Sequence, residues 1–332
     1  MLKVGSAFAK KGEVGKGFLK VGELAVHSEI LIPVLIVNGQ KSGPVLWLNG
    51  AVHGDELNGF LATRRVAAEI DPKELKGALV CTPLCNPPAL QWRNKINSQD
   101  YLDLDQQFPG DAGGLISQRI AYHLFQEIKD KAEYLINFHT AGTYYNAPPY
   151  TVYKKVAGVK AEVFEATERF VRQFGLMANC LVDLASAKGE LPGGIGGALD
   201  VNCALHGIPA FMAEVGSGGK FEEENIAIAE RGIKNVMKGL GMIEGDPVLP
   251  PEQMKVTKRR FLYCNHAGFW IMEAKPGEFL AKGKTIGRVI DLFSEIETVE
   301  TTQEIFLIQA RVNPLLHTGD RVAFLGLEWK PY

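Results

Sequence analysis

The chain has 332 residues, enough for about two domains at ~150 residues each, which excludes a lone small module. Its composition, 46% hydrophobic and 22% charged with 36 glycines, is that of a turn-rich globular protein and excludes disorder over most of the length. Lys plus Arg (36) nearly balance Asp plus Glu (38), and the net charge of −2 gives no basic field to gather nucleic acid or an anionic membrane.

In chain order, Met1-Leu2-Lys3 is followed by Lys10 and Lys11 before any apolar stretch of signal-peptide length, so the sequence reads as cytoplasmic. The run Ile30 to Val37 is interrupted by Pro33 and is far shorter than the ~20 residues that span a bilayer. Short apolar runs ending in polar residues or glycine predict buried strands at Val45–Asn49, Leu79–Pro83, Tyr134–Phe138 and Ile208–Glu214. Helical periodicity predicts helices over Leu57–Ile70, Leu115–Lys129, Glu162–Phe174 and Glu224–Leu240, the last closed by Gly241. Strands alternating with helices give an α/β fold with a mixed or parallel sheet. The segment Glu244–Pro251 breaks this pattern and places a boundary near residue 250, dividing the chain into 1–250 and 251–332. The second part is strand-like. In it Phe279–Ile286 and Leu315–Val322 form a weak repeat around Gly283 and Gly319, which suggests a pseudo-symmetric all-β unit. This unit resembles the barrel-sandwich fold of lipoyl and biotinyl carrier domains. A carrier needs a lysine on its hairpin, and residues 290–310 contain none.

Five scattered cysteines in apolar segments suit reduced core thiols better than a disulfide framework. The chemistry clusters at predicted strand ends. His53 and Glu56 follow the first strand, and a spacing of three puts imidazole and carboxylate on one face of a helical turn, where they can share one zinc ion. His139, at the end of a later strand, would complete a His, Glu, His set and leave a fourth position to water. Glu214 ends a further strand behind the apolar and proline residues 208–213, a placement that demands a partner. His27, His123, His266 and His317 read as structural or surface residues, and His206 as a helix end. The run Gly189 to Gly197 lacks the Gly-Lys-Ser/Thr of a phosphate loop and reads as a mobile loop at the site mouth.

Taken together, Gly43-Pro44, Val52-His53-Gly54-Asp55-Glu56, Asn86-Pro87, Asp103-Leu104, Phe108-Pro109-Gly110, Phe138-His139, Gly207-Ile-Pro-Ala210 and Glu214-Val-Gly216 resemble the succinylglutamate desuccinylase/aspartoacylase family, relatives of the zinc carboxypeptidases. The resemblance implies a carboxypeptidase-like catalytic domain with one Zn2+ per chain on His53, Glu56 and His139. It also implies Glu214 as general base or acid, a smaller C-terminal β domain that restricts access, and a small N-acylated substrate. Partners in nucleic acid or membrane are not expected, and a homo-oligomer is left open.

Two segments depart from the family. Where it reads Asp-Leu-Asn-Arg, with the Asn-Arg pair gripping a substrate carboxylate, this chain has Asp103-Leu104-Asp105-Gln106. The part of the substrate facing Asp105 and Gln106 is therefore expected to be neutral or cationic. The family's catalytic arginine corresponds to Lys95, with Arg93 two residues earlier, and either could stabilise an oxyanion. The leading expectation is a zinc amidohydrolase, or deacylase. Its rivals are a homologue that binds metal or a small ligand without turnover, and a carboxypeptidase-like peptidase.

Overall fold

The computed structural model describes residues 1–186 and 195–332. The glycine-rich run expected at the site mouth falls for the most part in residues 187–194, outside the described residues.

Thirteen strands of the described residues form one sheet. Those that matter for the site are β1 (Glu13–Glu23), β2 (Glu29–Asn38), β3 (Lys41–Gly50), β4 (Lys76–Thr82), β5 (Tyr134–His139), β6 (Tyr150–Lys155), β7 (Ala178–Asp183), β8 (Ala210–Glu214), β9 (Met254–Tyr263), β10 (Ile305–Arg311) and β11 (Arg321–Pro331). They lie in the order β10-β11-β9-β7-β6-β8-β5-β3-β4-β2-β1. The centre is parallel, with β4, β3, β5 and β8 running the same way, and their carboxyl ends gather at one rim. The register opposes Gly50 to Phe138 and His139 to Glu214, so the predicted metal and base residues arrive at that rim side by side.

Alternation within these strands feeds two cores, as expected of a sheet covered on both faces. Trp47 and Leu135 face α3 (Ile116–Lys131), with Ile120 and Leu124 opposite them. Leu46, Leu48 and Phe138 face α1 (Asn58–Glu69), α4 (Ala161–Phe174) and α6 (Glu223–Gly239). On that side Phe170 and Phe174 meet Phe211 edge-on, with ring centroids 4.9 and 5.4 Å apart. The four helices and four strands predicted in this region are present, with ends shifted by a few residues.

After residue 253 every described element is a strand. β9 adds in parallel to β7, Ala178 opposite Met254, so the main sheet continues past the segment predicted as a boundary. A shared core of Tyr150, Val152, Cys180, Phe306 and Phe324 joins the two parts. A four-stranded sheet built from Gly268–Met272, Thr285–Ile290, Glu295–Glu300 and Leu315–Leu316 carries its own core around Trp270, Ile286 and Val289. The predicted repeat is visible in its turns, where Gly283 and Gly319 both take positive φ, 79° and 84°. All five cysteines are buried and free. Among the described residues, no helix is long and apolar enough to cross a membrane.

Candidate metal centre and catalytic cavity

The turn after β3 is pinned before it reaches α1. Asn86, which caps α2 (Pro87–Trp92), donates through Nδ2 to the Val52 carbonyl at 2.8 Å. Gly54 packs so tightly on α2 that a Cβ there would lie 2.1 Å from the Ala89 carbonyl carbon, so this position accepts no side chain. His53 and Glu56 are thereby held at the strand rim, both buried.

Glu56 is the centre of the arrangement. Its Oε1 lies 3.0 Å from His53 Nδ1, and its Oε2 lies 3.1 Å from His139 Nδ1 and accepts the Thr140 N–H at 2.9 Å. One donor atom from each of His53, Glu56 and His139 lies within 4.8 Å of the others. Two imidazoles and a carboxylate converging in this way match the three-ligand zinc pattern. The outer nitrogens are held as well: Asp103 Oδ1 sits 3.0 Å from His53 Nε2, and the Asn137 amide lies 2.8 Å from His139 Nε2. Such outer partners fix ring orientation in metal centres. Burial works to lower the His53 pKa, yet the Glu56 and Asp103 carboxylates hold it up at about 10. Burial likewise works to raise Glu56, but the two imidazoles hold its carboxyl far below the usual range.

Glu214 shares this rim through its pairing with His139. Its Oε2 is withdrawn from solvent and has no hydrogen-bond partner among the described residues. Burial, with Glu56 and Asp105 adding to it and the two histidines opposing, raises its pKa to about 8. A desolvated carboxyl beside a candidate metal site is suited to exchanging a proton.

The cavity over these residues has a volume of about 420 Å3. Lys95 lines it and pairs with Asp103 Oδ2 at 3.1 Å. Arg93, the other cation considered from the sequence, ends α2 in the left-handed conformation, φ 52°, and lines a different cleft with Leu24 and Trp92. Of the two cations, only Lys95 reaches the site. Gln106 stands at the wall, its Nε2 donating to Asp103 Oδ2 at 3.3 Å. Asp105 is set deeper, 3.9 Å from His139 Nε2, and accepts from Asn137 Nδ2 and the Leu199 N–H, both at 3.4 Å. It therefore braces a candidate ligand as well as facing the cavity. Substituting Lys95→Met is expected to lower kcat by about 10²-fold with metal content unchanged, the usual scale for losing an oxyanion donor. Arg93→Met, assayed beside it, should leave kcat near wild type.

Further cavity residues escape sequence reasoning. Lys154, on β6, is buried against Asp200 at 2.6 Å. Phe261, Gln309, Arg321 and Phe324 come from beyond residue 250 and line the cavity too. No motif marks them, because they reach the site through strand pairing rather than local spacing. His206 ends a short helix, its Nδ1 2.9 Å from the Asn202 carbonyl, as read from the sequence.

Residues 42–240 match the model of the succinylglutamate desuccinylase/aspartoacylase catalytic domain. The chain is 26% identical to the N-alpha-acetyl-L-2,4-diaminobutyric acid deacetylase of Halomonas elongata, covering 94% of this chain and 91% of that protein. A succinylglutamate desuccinylase/aspartoacylase structure from Rhodobacter sphaeroides superposes with a TM-score of 0.83 at 24% identity over 96% of this chain and 95% of that one. The product-bound structure of an ectoine utilization protein from Ruegeria pomeroyi superposes with a TM-score of 0.84 at 24% identity, covering 97% and 98%.

Proposed function

The chain belongs to the succinylglutamate desuccinylase/aspartoacylase family, and from that premise we propose that it is a zinc-dependent deacylase hydrolysing the amide of a small N-acylated amino acid. The observation that carries the reading is the convergence of His53, Glu56 and His139 beside the unpartnered Glu214 carboxyl. His53 Nδ1, a Glu56 oxygen and His139 Nδ1 would hold one zinc ion. A zinc ion in such a set supplies a Lewis acid for the acyl carbonyl and activates water at neutral pH.

The chain's own residues do the rest. Asp103 and Asn137 orient the two imidazoles from behind. Glu214 takes a proton from the attacking water and passes it to the departing amine nitrogen. The Lys95 ammonium, held over the cavity by Asp103, stabilises the negative charge that develops on the acyl oxygen. The catalytic machinery lies in 1–250, and 251–332 lines the cavity through Phe261 and Phe324. Lys95 supplies a cation where the family has its catalytic arginine, which favours turnover over metal or ligand binding alone.

Asp105 and Gln106 leave no fork for a substrate carboxylate at that wall and suit an amine instead. The named substrate of the Halomonas relative carries a second amine, and we assign this chain the same class, an N-acetylated diamino acid. A cytoplasmic location fits such a small polar substrate. A panel of Nα-acetyl amino acids, followed by release of free amine, tests the assignment. Turnover is expected to favour members with a short cationic side chain. Equal turnover across neutral and acidic members would contradict the substrate class, and cleavage confined to peptides would contradict the deacylase.

A further inference from the structure

Charge in the cavity is not evenly balanced. Of its long cations, Lys95 is paired with Asp103 at 3.1 Å and Lys154 with Asp200 at 2.6 Å. Arg321, at the start of β11, lines the same cavity, and no carboxylate lies within ion-pair distance of it among the described residues. The adjacent Asp320, which could have neutralised it, is bound instead by Arg311 at 3.2 Å. The Arg321 guanidinium is held in place by aromatic faces, its central carbon 4.7 Å from the Phe261 ring centroid and 6.0 Å from that of Tyr145. The Tyr145 hydroxyl donates to the Arg321 carbonyl at 3.3 Å, which fixes the backbone beneath the side chain. A planar, oriented guanidinium facing a ligand cavity without a protein anion is arranged for a bidentate carboxylate.

We propose that Arg321 is the carboxylate anchor of this enzyme, binding the carboxylate of the amino acid substrate in the cavity it lines together with Asp105 and Gln106. The proposal rests on the deacylase reading and deepens it. The arginine missing from the Asp103–Gln106 motif is replaced in function by one more than two hundred residues later in the chain. The substrate is then read at two points, its amine at Asp105 and its carboxylate at Arg321. Specificity is set partly by the C-terminal strands.

Two measurements test it separately from the deacylase reading. Calorimetry with L-2,4-diaminobutyrate and its α-carboxamide needs no turnover. The wild-type protein is expected to bind the carboxylate about ten- to a hundredfold more tightly, the range for a charge-assisted contact. Arg321→Gln should abolish that preference and Arg321→Lys should keep part of it. With the corresponding Nα-acetyl compounds, the loss in Arg321→Gln should fall on KM, with kcat much less affected. A preference left intact by Arg321→Gln, an equal loss for both ligands, or no carboxylate preference in the wild type would overturn the anchor. Absence of turnover with the calorimetric preference present would overturn the deacylase reading and leave the anchor standing.

Discussion

Glu214→Gln is expected to keep the fold and the full metal content while turnover falls by about 10²-fold or more, the scale for losing a positioned acid or base. The substitution preserves shape and removes only the capacity to take up and release a proton. Glu214 Oε2 has no protein partner among the described residues, so no hydrogen-bond network should collapse with it. The kcat of metal-loaded protein, read beside its zinc content, checks this. Loss of zinc in parallel with activity would make Glu214 a ligand rather than the proton carrier.

His53→Ala, His139→Ala and Glu56→Ala are each expected to lose zinc and activity together, because three protein ligands leave no redundancy. The largest disturbance should follow Glu56→Ala. That change leaves His53 and His139 facing each other without the carboxylate that lies 3.0 and 3.1 Å from their Nδ1 atoms. Metal analysis after dialysis, with circular dichroism to confirm the fold, distinguishes this from global unfolding. Retained stoichiometric zinc in any one of the three would remove that residue from the ligand set.

The meeting of His53, Glu56, His139 and Glu214 at one rim was legible in the sequence because these residues follow apolar runs that end abruptly in polar residues. That pattern is the signature of a central parallel strand delivering a side chain to the sheet rim. Lys95 and Arg93 could not be separated in this way, since the choice depends on where α2 stops. Arg93 takes the left-handed capping conformation and is turned away, a matter of two residues in a short helix. The N-terminal strands were obscured by Pro33, which argues against a central strand. The structure tolerates it because β2 bonds β4 only over Leu35–Asn38, so on that side the proline's missing N–H has no strand to meet. Arg321 and Lys154 gave no signal at all, since pairing between strands distant in sequence brings them to the cavity.

Under the proposed function, His53, Glu56 and His139 would hold one zinc ion and Glu214 would carry the proton in hydrolysis of an N-acyl amino acid. The most direct test is to strip the purified protein of metal and titrate zinc back while following hydrolysis of Nα-acetyl-L-2,4-diaminobutyrate. Activity is expected to rise linearly and saturate at one zinc per chain, and Glu214→Gln to bind the same equivalent without recovering turnover. Hydrolysis by the metal-free protein, or a zinc-loaded wild type that releases no amine, would contradict it.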